Sequence, residues 1–114
     1  MAFPNAQTLQ TWVDEFRDLG YPSAGTLRVL ARDGDAATED GLLTVHLADA
    51  ETSIYVEPES SASERWLITL EARDEPITLD PAAMLRLAGE LASVSALCAF
   101  LEARSIAARA DRTA

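Results

Sequence analysis

The chain has 114 residues, 48% of them hydrophobic and 25% charged, which is the composition of one globular domain and not of a disordered or fibrous chain. Nineteen carboxylates face nine cations, for a net charge of −10. That balance argues against direct binding to a nucleic-acid backbone or an anionic membrane, because both affinities need clustered Lys and Arg.

In chain order, Asn5 to Leu19 is predicted to be an amphipathic helix. Leu9, Trp12, Val13, Phe16 and Leu19 recur at spacings of three and four, and Asp14, Glu15, Arg17 and Asp18 lie off that face. Gly20 is a natural stop, and Pro22 prevents resumption. Thr26 to Arg32 fits either a strand or a helical turn; its Thr and Val, and the Asp33-Gly34 pair that closes it, favour the strand. Residues 33–41 form a polar loop with two glycines. Leu43, Val45 and Leu47 then alternate with Thr44, His46 and Ala48, the pattern of a half-buried strand. Ala50-Glu51 supplies a turn, and Ser53 to Glu57 a further strand with Ile54 and Val56 on one face. After a Ser-rich loop, Trp66, Ile68 and Leu70 alternate with Leu67, Thr69 and Glu71. Ile77 to Leu79 either pairs or leads into the last element.

Asp80-Pro81 opens a long final helix, with Asp as N-cap and Pro at the first helical position. Met84, Leu87, Leu91, Val94, Cys98 and Leu101 draw one apolar seam along it. From Val94 to Leu101 the rest of the circumference is also apolar or small: Ser95, Ala96, Leu97, Ala99 and Phe100. A helix apolar all round must be covered on more than one side. The expected cover is a second copy of the chain, with Leu97, Phe100, Leu101, Val94 and Trp66 as partner-binding candidates. A helix of about 28 residues is about 42 Å long. It must overhang a domain whose radius of gyration is about 13 Å, kink, or fray after Arg104. Residues 107–114 are small and polar, and fraying is expected there.

Strands grouped between two helices give an α+β domain over residues 1–114: an N-terminal helix, a three- to four-stranded antiparallel meander, and a long C-terminal helix on one face of the sheet. This order, with Leu19-Gly20-Tyr21 after the first helix and the run Met84-Leu85-Arg86-Leu87-Ala88-Gly89-Glu90-Leu91 in the last, resembles the first part of the type III secretion chaperone-like fold. The resemblance implies a small acidic protein, often a dimer, that binds other polypeptides and catalyses nothing.

Candidate chemistry is sparse. His46 stands alone in a strand, on the side of Thr44 and Ala48, where a solvent-facing position explains it better than a general base or ligand. Cys98 lies on the apolar seam and reads as packing, not as a nucleophile. Asp33, Asp35, Glu39 and Asp40 offer oxygens to calcium, but their spacing is not that of an EF-hand loop. Asp74, Glu75 and Asp80 are explained by a turn and an N-cap. Trp12 reads as core, while Trp66 and Tyr55 suit a binding contact. No catalytic residue, metal or cofactor is expected.

One Cys allows no intrachain disulfide, no run of about 18 apolar residues suggests a membrane span, and the first ten residues lack the pattern of a signal peptide. A cytoplasmic protein is the default expectation. The leading reading is a non-enzymatic protein-binding or chaperone-like module that dimerises through its C-terminal helix and holds an unidentified polypeptide. The alternative is an acidic nucleic-acid mimic or a regulator of a DNA-binding protein. The Arg-only cations and the 21 Ala residues also fit simple codon bias. At −10 the compact chain repels itself, and salt screens that repulsion within a Debye length of about 8–10 Å. The melting temperature is therefore expected to rise between low and moderate NaCl; a fall would mean that Arg–carboxylate attraction dominates.

Overall fold

The computed structural model describes residues 4–20, 26–31, 41–60 and 63–113. Helix α1 spans Ala6–Asp18 and is followed by strands β1 (Thr26–Ala31), β2 (Gly41–Leu47), β3 (Thr52–Pro58) and β4 (Trp66–Leu70), then by helix α2 (Pro81–Thr113). The strands form one antiparallel meander in the order β1-β2-β3-β4. The fold is α+β, as the sequence pattern predicts, and Thr26–Ala31 is a strand.

The local signals act as expected. Asn5 caps α1 by accepting from the Thr8 amide at 2.8 Å, and Gly20 ends it with φ 86°. Asp80 accepts from the Ala83 amide at 2.8 Å and caps α2. The β2–β3 turn closes with the Glu51 amide donating to the Ala48 carbonyl at 3.3 Å, and Glu51 takes the left-handed conformation at φ 48°. Gly41 begins β2 at the closest approach of α1: a Cβ there would meet the Cα of Ala6 and the Cδ2 of Leu9, both at 2.9 Å. Glycine at this point lets the first turn of α1 settle onto the sheet.

Both helices pack on one face. α1 contributes Leu9, Trp12, Val13 and Phe16, and α2 contributes Val94, Leu97, Cys98 and Leu101. The sheet meets them with Leu43, Val45 and Leu47 of β2, Ile54 and Val56 of β3, and Trp66 of β4, while Leu27 and Val29 of β1 are half-buried. The opposite face carries Arg28, Thr44, His46, Tyr55, Leu67 and Thr69, none of them fully buried.

One open alternative is decided and one expectation changes. Ile77 to Leu79 adds no strand and leads into α2 through an exposed connection. The helix does not fray after Arg104 but continues to Thr113. The reason is visible: Ser105 is buried, Ala108 packs on the core, and Arg109 Nε meets Glu64 Oε1 at 3.1 Å. A helix of 33 residues is about 50 Å long, and the molecule measures 51 Å along its longest axis. Of the alternatives raised by its length, α2 overhangs the sheet.

Leu101 has no exposed surface and sits between α2 and the sheet. Leu101→Ala is expected to cost about 2–5 kcal/mol through lost burial and a residual cavity. Chemical denaturation with an unchanged slope is the measurement; a cost below about 1 kcal/mol would show that α2 is not part of the folding unit.

Candidate partner-binding surface

Helix α2 is held at two places. At its C-terminal half, the Trp66 indole Nε1–H donates to Ser105 Oγ at 2.9 Å, and Ser105 passes its own hydrogen to the Leu101 carbonyl at 2.8 Å. The Trp66 backbone N–H donates to Glu102 Oε2 at 3.1 Å. On the other flank, Arg104 pairs with Glu15 of α1 and lies 5.2 Å from the Phe100 ring centroid, while Phe100 meets Phe16 at 5.6 Å between centroids. At its N-terminal half, Arg86 Nη2 pairs with Asp49 Oδ1 of the β2–β3 turn at 3.1 Å. The helix therefore runs obliquely, from the end of β2 to the start of β4.

This path accounts for what is covered. Val94, Leu97, Leu101 and Trp66 are interior; Leu97 is only 1% exposed. Four of the five partner-binding candidates thus serve the chain's own core and offer no surface to a second molecule. The fifth, Phe100, is half-buried against Phe16 and beneath Arg104. The surplus apolar circumference at Val94 to Leu101 is explained internally: one side meets the sheet and the other meets α1.

The same path leaves other apolar residues bare. Ile68 and Leu70 lie on the helix-bearing face, directly opposite Val56 and Ile54 of β3, which are fully buried. Yet Ile68 and Leu70 are exposed, Leu70 to 61%, because α2 covers only the start of β4. Along α2, Met84, Leu85 and Leu91 are also exposed. At about 100° per residue, Met84 and Leu91 project from the flank that also carries Cys98 and Glu102. Glu102 holds Trp66, so this flank faces β4. Met84 and Leu91 on that flank, and Ile68 and Leu70 on β4, are thus exposed apolar side chains on the α2–β4 side of the molecule. The sequence signal of the β4 part lay in Trp66-Leu67-Ile68-Thr69-Leu70: four apolar residues in five leave both faces of a strand apolar, although only one can meet the core.

The other candidates fall elsewhere. His46 is exposed on the open face of the sheet. Tyr55 is half-buried on that face and its hydroxyl donates to Glu71 Oε1 at 3.3 Å. Trp12 is core. Cys98 is buried, and desolvation with the nearby Glu102 carboxylate pushes its thiol up to about 11, far from a reactive thiolate. Asp74 and Glu75 line an open cleft of about 400 Å³ beside Glu51 and Glu71. Arg73 spans that cleft and donates to the carbonyls of Ala50 and Glu51 at 2.5 and 2.6 Å, which fixes the connection before α2. The Asp33, Asp35, Glu39 and Asp40 group lies outside the described residues. Among the described residues no three metal-binding side chains come together.

One carboxylate is set against its surroundings. Glu90 holds its proton above the usual range, first because burial penalises its charge and then because the Asp49 carboxylate stands beside it. The folded value exceeds the unfolded one, so the native state binds the extra proton and stability falls as pH climbs through that window. Glu90→Gln removes this ionisation. Its stability relative to wild type is expected to be level below the ordinary carboxylate range and to grow as pH rises to neutrality. A pH-independent difference in melting temperature would remove the assignment.

No family model, no curated protein and no solved structure matches this chain.

Proposed function

We propose that the chain is a non-enzymatic, chaperone-like protein-binding module of the cytoplasm, which takes an apolar segment of another polypeptide into a trough between α2 and β4. The observation that carries this reading is the joint exposure of Met84, Leu91, Ile68 and Leu70 on α2 and β4. A chain of charge −10 could hold polar residues at those positions, and an apolar trough rimmed by charge is the form of a docking site. The groups that would serve catalysis support the same reading. The buried Cys98 thiol is a poor nucleophile, and His46 stands on the face of the sheet away from the trough.

Pro81–Asp111 is, by length and composition, apolar enough to cross a membrane, and only 28% of its most apolar stretch is buried. Its attachments favour a docking surface instead: Arg86 to Asp49, Arg104 to Glu15 and Ser105 to Trp66 tie both halves of the helix to the domain. The second reading, an acidic mimic or a regulator of a DNA-binding protein, draws on the −10 charge. Against it, Asp14, Glu15, Asp49, Glu59 and Glu64 are each engaged by an Arg and do not stand as a free row.

The test compares the tagged wild type with Met84→Glu/Leu91→Glu in extract of the source cell, separated into soluble and membrane fractions. A protein retained by the wild type and released at least about tenfold by the variant supports the trough. Equal retention, or recovery of the chain with the membrane fraction alone, overturns it.

A further inference from the structure

Among the described residues the outer side of β4 is an open sheet edge, and its backbone can be read residue by residue. The Glu59 amide donates to the Arg65 carbonyl at 2.8 Å, and the Glu71 amide donates to the Ser53 carbonyl at 3.1 Å. Arg65 and Glu71 thus extend the β3–β4 ladder at both ends. The odd-numbered residues between them turn their backbone groups toward β3. Trp66, Ile68 and Leu70 turn theirs outward. Glu102 takes the Trp66 amide. The Trp66 carbonyl and both backbone groups of Ile68 and Leu70 meet no partner among the described residues.

Proteins ordinarily guard such an edge with a charge, a proline or a bulge. The far edge is guarded: β1 carries Arg28, and Arg17 Nη2 donates to the Leu27 carbonyl at 3.0 Å. Trp66-Leu67-Ile68-Thr69-Leu70 carries no charge and no proline.

We propose that the β4 edge pairs antiparallel with the β4 edge of a second copy, centred on Ile68, to double the four-stranded sheet. The charges flanking the strand select this partner and this register. With Ile68 opposite Ile68, Arg65 of each copy falls opposite Glu71 of the other, twice by symmetry. Sliding the pairing so that Leu67 faces Leu67 sets Arg65 against Thr69. Sliding it so that Thr69 faces Thr69 sets Arg65 against Arg73, a repulsive pair. In the Ile68 register each Ile68 amide donates to the other copy's Ile68 carbonyl, and each Leu70 amide to the other's Trp66 carbonyl. The Trp66 amide stays with Glu102. On the helix-bearing face Ile68 meets Ile68, two side chains otherwise bare, while Leu70 falls opposite Trp66, whose side chain is already covered by α2 and contributes its backbone carbonyl alone. Arg65 and Glu71 are both exposed and free to turn toward a partner. Their present contacts, Arg65 with Glu59 at 3.7 Å and Glu71 with the Tyr55 hydroxyl, leave donors and acceptors to spare. A two-fold axis of this kind makes a closed dimer and no filament.

The inference rests on the proposed contact surface of α2 and β4 and divides it: a second copy takes the β4 edge with Ile68 and Leu70, so the other polypeptide is received by Met84, Leu85 and Leu91 of α2 beside the new strand. Sedimentation equilibrium of the purified full chain, up to on the order of 100 µM, decides it. The wild type is expected to dimerise. Arg65→Glu alone and Glu71→Arg alone are each expected to raise the dimer dissociation constant about fivefold, since each sets like charges across the axis twice. The double variant Arg65→Glu/Glu71→Arg is expected to return it to the wild-type value. Melting curves of all four proteins verify that these exposed changes leave the fold intact. A wild type that stays monomeric overturns the pairing and leaves the trough reading to its own experiment. A dimer that ignores both reversals, or that the double variant does not restore, also overturns it.

Discussion

The oblique line of α2 across the sheet decides nearly everything else in this structure. That line is set by Trp66, which binds the helix three ways: its ring is buried, its indole N–H reaches Ser105, and its backbone amide reaches Glu102. A buried indole N–H without a partner would cost about 1–3 kcal/mol, so Ser105 is fixed opposite Trp66. With that crossing settled and Arg86 drawn to Asp49, the helix passes over the start of β4 and the end of β2. The end of β4 has no cover left to receive. The exposure of Ile68 and Leu70 follows from the anchoring of Trp66 and is not a separate feature of the strand.

The charge distribution is organised by the same packing. Arg is the sole cation, and its forked donors suit it to holding one element to another. Arg104 joins α2 to α1, Arg86 joins α2 to the β2–β3 turn, Arg109 joins α2 to the segment before β4, and Arg73 joins the connection to that turn. These pairs lie at the surface, where each contributes little stability alone. Their effect is positional: each holds one element to another, and with nineteen carboxylates against nine Arg the surface left over is acidic.

The fold was legible in the sequence because each element carried its own period and its own boundary. The α1 stripe, the Leu43–Leu47 and Ile54–Val56 alternations and the Asp80-Pro81 start are local signals, and local physics decided them. The proposed binding surface was less legible. The seam through Met84, Leu87, Leu91, Val94 and Leu101 is continuous in sequence, but its second half is buried while in its first half only Leu87 packs on the core and Met84 and Leu91 are exposed. Periodicity shows which side of a helix is apolar, not where along its length the sheet stops. The candidates Leu97 and Leu101 failed as surface for that reason: the densest apolar stretch attracted the chain's own sheet and α1 first. Trp66 misled in a related way, since its position after a polar loop suggested exposure while its bulk made it the helix's anchor. Ile77 to Leu79 shows the limit of a short alternation, which left pairing and leading in equally open; Arg73 fixes the connection to the β2–β3 turn, and the segment leads into α2.

The mismatch between helix and sheet bears most directly on function. Four strands at about 4.8 Å spacing make a sheet about 19 Å wide, and α2 is about 50 Å long. Even an oblique helix must project past such a sheet. Projection alone would be harmless if the free turns were polar, and a chain with nineteen carboxylates has polar residues to place there. Yet Met84, Leu85 and Leu91 stand exposed on the N-terminal half of α2, with Leu85 left 75% exposed. Each of these exposed side chains gives up the benefit of burial in the isolated chain, at roughly 1.5–3 kcal/mol for a fully buried residue of this size. An apolar overhang beside an unguarded strand edge therefore concentrates unrealised contact energy on one side of the molecule. The other face also exposes apolar side chains, Leu30 to 44% and Leu67 to 45%, but among polar neighbours such as Arg28, Thr44 and His46. Association on the α2–β4 side realises that energy without rearranging the core, because Trp66, Val94, Leu97 and Leu101 are already in place. The core is thus closed while apolar side chains on the α2–β4 side stay exposed, and this is the feature on which the proposed binding role depends.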